Sequence, residues 1–373
     1  MTAIASARIL DLDWLRRLEE TVPAYLGELR VGDHVGRYLP CAQGATRVGR
    51  EMALGWSCFG LKLHWMMDLW KDLPALEKSG WVQLLQSFQR NDGENSFIDP
   101  PEVAFLDTYV PWRERLRRLF KRGQTTKSAH AITLAETKQA IATFAEVDAE
   151  PLRVFSGFPS TPETVKAWLE SQDWSRPWGA GGQSAGLVVF IKTQAPKFLA
   201  ERDVEELLTV CRQFYANLAD RETGAYFRGR RPPKHGELIN GAMKVLMALD
   251  WLGEAPHYRE QLIATTLLHP PPPKGCHLVD AVYVLHQCLN GQPPSEAISA
   301  FCKDVFDEIR QHANPDGGFS FNRGKAQTVY YGVPISRGLP ESDIQGTCLL
   351  VWALALIWRM LAPESAAWKP MRP

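Results

Sequence analysis

The chain has no excess of charge of either sign. Its 373 residues carry 42 lysines and arginines against 42 aspartates and glutamates. A protein without a net field has no global means of holding nucleic acid or an anionic membrane surface. Basic residues do cluster at 113–122 and 228–234, a pattern that also suits a solvated helix face and a basic loop. No Cys-x-x-Cys pair occurs among the seven scattered cysteines, so a reduced, cytoplasmic setting is expected rather than a disulfide framework. The longest apolar run, Cys348 to Trp358, is about half of what spans a bilayer, so no transmembrane segment is expected. The first residues are charged too early for a secretory leader. Also missing are a Walker-type phosphate loop, a dinucleotide fingerprint and a Gly-x-Ser-x-Gly elbow.

What is present is helical periodicity and a repeat. A helix-length stretch, a tight acidic-glycine turn and an aromatic recur three times. The copies are Gln89-Arg90-Asn91-Asp92-Gly93 with Phe97, Asp220 to Phe227 around Gly224, and Gln311 to Phe319 around Asp316-Gly317-Gly318. A repeated unit that cannot bury its own apolar face points to a closed or stacked array.

Two kinds of helix alternate. Amphipathic ones are predicted near 81–89, 112–122, 162–172, 203–218, 258–268 and 294–312. Others, apolar nearly all round, start near Gly44, Ala129, Gly179, Gly236, Cys276 and Ser342. A helix apolar on every side must be surrounded by protein. The expectation is therefore all-α: an (α/α)6 toroid of six inner and six outer helices around a central cavity. Residues 41–373 would form this single domain, with residues 1–40 supplying an additional helix packed on the ring.

The turns at 89–93 and 311–319 resemble degenerate forms of the Gln-(x)n-Gly-x-Trp repeat of terpenoid cyclases and protein prenyltransferases. That resemblance implies the toroid and a bulky apolar substrate such as an isoprenoid. The superfamily's acid motifs, Asp-x-Asp-Asp and Asp-Asp-x-x-Asp, are absent here. Prenyltransferases hold zinc with Asp, Cys and His, and Cys276-His277-Leu278-Val279-Asp280 is the segment to compare. One helix cannot supply all three ligands from one face, so no metal or other cofactor is expected. Zinc remains the one metal to test for.

The openings of the inner helices carry the candidate chemistry. Glu237, Asn240 and Lys244 fall at i, i+3 and i+7 on an otherwise apolar helix, which demands pairing or a wet cavity. Asp343 stands three residues before Gly346. It is either an N-cap or an acid facing the cavity. Trp178-Gly179-Ala180-Gly181-Gly182-Gln183 opens another inner helix, its glycines admitting a ligand and Trp178 offering a stacking wall. The leading candidates are Asp343 and Glu237 as catalytic acids, with Trp178, Gln183, Asn240, Phe319, Tyr331, Asp280 and His277 contacting a small-molecule substrate. Three readings stay open. One is acid catalysis on an isoprenoid. The second is a glycan-active hydrolase, lyase or epimerase pairing two carboxylates. The third is a non-catalytic binding scaffold, its mouth plugged by the loop 324–340.

Overall fold

The computed structural model describes residues 10–103 and 124–372. Twelve helices of nine residues or more occur among them, alternating between an outer and an inner layer. The outer helices are α1 (Leu12–Leu29), α3 (Ala75–Ser87), α5 (Pro162–Glu170), α7 (Glu201–Leu218), α9 (Arg259–Leu267) and α11 (Glu296–Arg310). The inner helices are α2 (Leu54–Met66), α4 (Gln124–Glu146), α6 (Pro177–Thr193), α8 (His235–Leu252), α10 (Gly275–Leu289) and α12 (Ile344–Leu361). Each inner helix packs on the next, α2 on α4, then α6, α8, α10 and α12, and α12 returns to α2. The ring closes, and the structure is an all-helical (α/α)6 toroid. The outer helix expected at 112–122 lies outside the described residues.

The sequence dictates this layering. Helices α7 and α11 bury one stripe each, Val204, Leu207, Leu208 and Cys211 in the first, Ile298, Cys302, Val305 and Ile309 in the second. Helix α12 buries residues all round its axis. By length and composition α12 would also suit a bilayer span, but 83% of it is buried at the centre of the ring. Helix α1 takes an outer position beside α11: Trp14 meets Phe306 edge-on at 5.4 Å, and Arg310 lies over the Trp14 ring.

The repeated turn has one physical design. After an outer helix, an aspartate side chain accepts backbone N–H groups of the turn, as Asp92 does from Asn95, Asp220 from Thr223 and Asp316 from Gly318. A glycine then takes positive φ (Gly93 +84°, Gly224 +72°, Gly317 +91°), and the aromatic returns in an antiparallel bridge. In two copies the returning residue is tied to the next inner helix: Phe97 N–H donates to Thr137 Oγ1 at 2.9 Å, and Phe319 N–H to Thr347 Oγ1 at 3.0 Å. A fourth bridge, Arg30 with Tyr38, follows α1 and was not marked by the sequence pattern. Between α11 and α12 a short hairpin, Val329–Tyr330 with Val333–Pro334, reaches over the ring.

Candidate functional site

All six inner helices run the same way, so their N-termini share one end of the ring. Below that end lies a cavity of about 410 Å³, walled by every inner helix. Helical spacing decides which side chains face it. Helix α2 presents Phe59 and Lys62 (i, i+3), α10 presents Cys276 and Asp280 (i, i+4), and α12 presents Gln345, Leu349 and Trp352. Helix α4 adds Leu134, Lys138 and Gln139, and α8 adds Met243, Lys244 and Met247. Helix α6 contributes Trp178, Gly182, Gln183 and Gly186. A Cβ built on Gly182 would meet nothing within 4 Å, so the missing side chain leaves room inside the wall. From the hairpin loop come Gln327, Tyr330 and Tyr331. Trp178 and Tyr331 are 36% and 39% exposed, so the wall reaches solvent at the mouth and the loop does not seal it.

The positive ends of six helices draw carboxylates, and this divides the acids into two sets. The first set is spent on backbone. Asp343 caps α12: its Oδ1 accepts from Gly346 N–H at 2.7 Å, and its Oδ2 accepts from Phe321 and Gln327 N–H at 2.7 and 3.0 Å. Burial raises its pKa to about 6, against the pull of those three amides. Asp99 does the same for α2, accepting from Ala53 and Leu54 N–H. Glu237 accepts from Trp178 N–H at 3.0 Å and so ties α8 to the start of α6. The two sequence candidates for catalytic acid, Asp343 and Glu237, therefore hold the scaffold, and neither lines the cavity.

The second set is buried without such partners. Asp280 is 2% exposed on the cavity wall, and its Oδ2 has no hydrogen-bond partner. Burial raises its pKa to about 7, with Lys244 acting in the opposite sense. Behind the hairpin, Glu136 accepts from Tyr330 Oη at 2.5 Å and adjoins Glu102 and Asp99. Burial pushes both glutamates well above the ordinary carboxylate range, so this pair retains protons at neutral pH.

The remaining sequence candidates scatter. Trp178, Gln183, Tyr331 and Asp280 do line the cavity. Gln183 donates from its amide to Ala131 O at 3.1 Å. Asn240 and His277 sit beside it: Asn240 Nδ2 lies 3.0 Å from His277 Nδ1, and the His277 ring packs on Trp178 with centroids 5.8 Å apart. Phe319 is fully buried in the outer layer, edge-on to Trp14 at 6.1 Å, and cannot touch a ligand in the cavity. Among the described residues no three His, Cys, Asp or Glu side chains gather as a metal-holding group, and His277 faces Asn240 while Asp280 faces the cavity. The seven cysteines are free thiols.

Sequence reasoning missed Lys62 and Lys138. For Lys62 the signal was there, a lone charge on the apolar stretch of an inner helix like Lys244, which the same reasoning had singled out; Lys138 was masked by its polar neighbours Glu136, Thr137 and Gln139.

No family model matches the chain, and no curated protein matches it. Among solved structures it is similar in outline to a polysaccharide lyase (11% identity, 97% of this chain and 99% of that one, TM-score 0.48). It is also similar to a glycosyl hydrolase family 88 protein from Bacteroides vulgatus (11%, 92% and 99%, 0.47). A third is the GH76 alpha-mannanase BT2949 of Bacteroides thetaiotaomicron (10%, 94% and 96%, 0.43). None of these three is a terpenoid cyclase or prenyltransferase. With TM-scores below 0.5 they assign no chemistry to this chain, which has to come from the cavity itself.

Proposed function

We propose that this toroid is a glycan-active enzyme that cleaves a glycosidic bond: Asp280 gives its proton to the departing glycosidic oxygen, and water bonds to the anomeric carbon as that C–O bond breaks and returns a proton to Asp280. The observation that carries the reading is Asp280 Oδ2, buried on the cavity wall with no partner, on a carboxyl whose pKa of about 7 leaves a large protonated fraction at neutral pH. An acid poised near the working pH transfers protons best. Around it stand Gln139, Gln183, Gln327 and Gln345, amides that suit the hydroxyls of a sugar, with Trp178 and Tyr331 at the mouth as faces for stacking.

The pairing of Glu237 with Asp343 is not the acid pair, because both carboxylates are committed to helix N-termini. The isoprenoid reading fares worse for a chemical reason. A cyclase stabilises carbocations in an apolar, aromatic cavity. Here the wall carries lysines, whose positive charge repels a carbocation, and side-chain amides, whose oxygens would capture one.

The test is turnover of a panel of acidic and neutral oligosaccharides by the wild type and by Asp280→Asn, following new reducing or unsaturated ends. Cleavage lost in the variant with saccharide binding retained supports the assignment. Turnover of prenyl diphosphates alone would sink it.

A further inference from the structure

The cavity holds an imbalance of charge. Lys62 from α2, Lys138 from α4 and Lys244 from α8 all reach it. None of the three makes an ion pair with a carboxylate among the described residues, although Lys244 acts on Asp280 and Lys62 on Glu146 at longer range, and Lys244 Nζ donates to Met247 Sδ at 3.8 Å. Lys62 is 4% exposed. Long lysine stems can pack on apolar surface while the amine reaches water. Three amines from three separate helices converging inside one ring are not that arrangement, since the outer surface is where water is plentiful. The amines are also close enough to feel one another: Lys62 and Lys244 both act against the protonation of Lys138. Like charges gathered in one cavity repel one another, and an anion placed among them turns that repulsion into attraction.

We propose that Lys62, Lys138 and Lys244 form the anion subsite of this cavity, and that its ligand is a saccharide bearing carboxylate or sulfate groups. The proposal rests on the glycan reading above for the word saccharide, and on the lysines alone for the word anionic. Asp280 and Lys244 line the cavity from the adjacent helices α10 and α8, which puts the reacting bond beside Lys244. The charged group of the sugar then sits on the α2, α4 and α8 side of the cavity and the labile bond on the α10 side.

A linked proton distinguishes this subsite from lysines that only fill space. Burial and then the charges of Lys62 and Lys244 hold the Lys138 amine well below the usual lysine range. A bound anion leaves the amine buried but attracts its charged form, which opposes both effects, so binding takes up a proton and weakens as pH rises. Asp280 acts with the same sign, because a nearby anion raises its pKa further. The carboxylate of Glu146, at the floor end of α4, favours the charged forms of Lys62 and Lys138. The Cys276 thiol lines the same space, and the buried thiols of Cys58 and Cys348 lie within electrostatic reach of Lys62; burial has raised each to about 12, so all three stay protonated. The phenol of Tyr330, raised by burial, stays protonated as well.

Titration calorimetry on the full chain tests this, in two buffers of unlike ionisation enthalpy. The ligands are a uronate oligosaccharide, a sulfated one, a neutral one of equal length, and inorganic pyrophosphate. The expected result is binding of a charged saccharide with net proton uptake, and roughly ten- to a hundredfold weaker binding of the neutral one. Lys62→Met and Lys244→Met should each lose a similar factor, Lys62→Arg should recover part of it, and Lys138→Met should abolish most of the uptake. Uronate against sulfate tells the two anion chemistries apart. Equal binding of neutral and charged saccharides, or no change in the lysine variants, overturns the anion subsite and leaves the glycan reading standing. Pyrophosphate held through the lysines while every saccharide fails keeps the subsite and removes the glycan reading. Melting curves of each variant show whether it is folded.

Discussion

Asp280→Asn should make the protein more stable, and the gain should depend on pH. The native carboxyl has a pKa of about 7 where an ordinary aspartate has 3.8. A raised native pKa means that the folded chain holds this proton more tightly than the unfolded chain does. Its contribution to stability is complete below about pH 4 and is lost as pH rises through about 7. A shift of about three units, at about 1.4 kcal/mol each, sets an upper bound of about 4 kcal/mol on the penalty of ionisation. Asparagine copies the protonated form at every pH and so escapes that penalty. The entropy of unfolding, about 2.1 cal/mol/K per residue, makes 4 kcal/mol worth about 5 °C in this chain. Melting curves of both proteins from pH 4 to pH 8 should coincide at the acid end and separate by up to about 5 °C at the alkaline end. Activity should meanwhile vanish in the more stable variant. Should the variant melt lower at pH 8, the carboxylate would be a structural partner of Lys244, and the assignment of Asp280 as an unpartnered acid would fail.

Other perturbations separate scaffold from site. Lys138→Met should raise the melting temperature most at acidic pH, the opposite sense to Asp280→Asn, because a depressed native amine pKa costs stability where the unfolded lysine is charged. Asp343→Ala removes a helix cap and strands the Phe321 and Gln327 amides; thermal or urea unfolding should show a loss of about 4 kcal/mol. Trp178→Ala, at a third-exposed mouth residue, should leave the melting temperature nearly unchanged and weaken saccharide binding roughly tenfold by calorimetry.

The ring was legible because two kinds of signal agreed. Apolar character all round α8, α10 and α12, against one-sided burial in α7 and α11, is what an inner and an outer layer require. The acidic-glycine turns were legible because a positive φ needs glycine and a tight turn needs a carboxylate for its amides. In Gly224 the need is also steric, since a Cβ there would lie 2.4 Å from Leu262 N. The turn after α1 escaped notice because Gly32 and Gly36 do its work without the aspartate-glycine pair. Phe319 was misplaced for a related reason. An aromatic after such a turn can face the ring or the outer layer, and only the Thr347 bond and Trp14 decide it.

The candidate site was legible to the helix, and to the residue at Trp178, Gln183, Tyr331 and Asp280, but not in the two acids ranked first. Reasoning from sequence favoured acids at the openings of inner helices, and those are the positions where the backbone itself consumes a carboxylate. Asp343 has one oxygen on its own helix and the other on two loop amides; Glu237 has accepted the α6 opening; Asp99 serves α2. Chemistry requires an acid whose oxygen is still free, and that condition is met one turn further in, where the intrahelical bonds already satisfy the backbone. Asp280 stands there, five residues into α10, and Lys62, Lys138 and Lys244 lie deeper still along their own helices. In a ring of parallel helices, the charges left for a ligand are those beyond the reach of the helix ends.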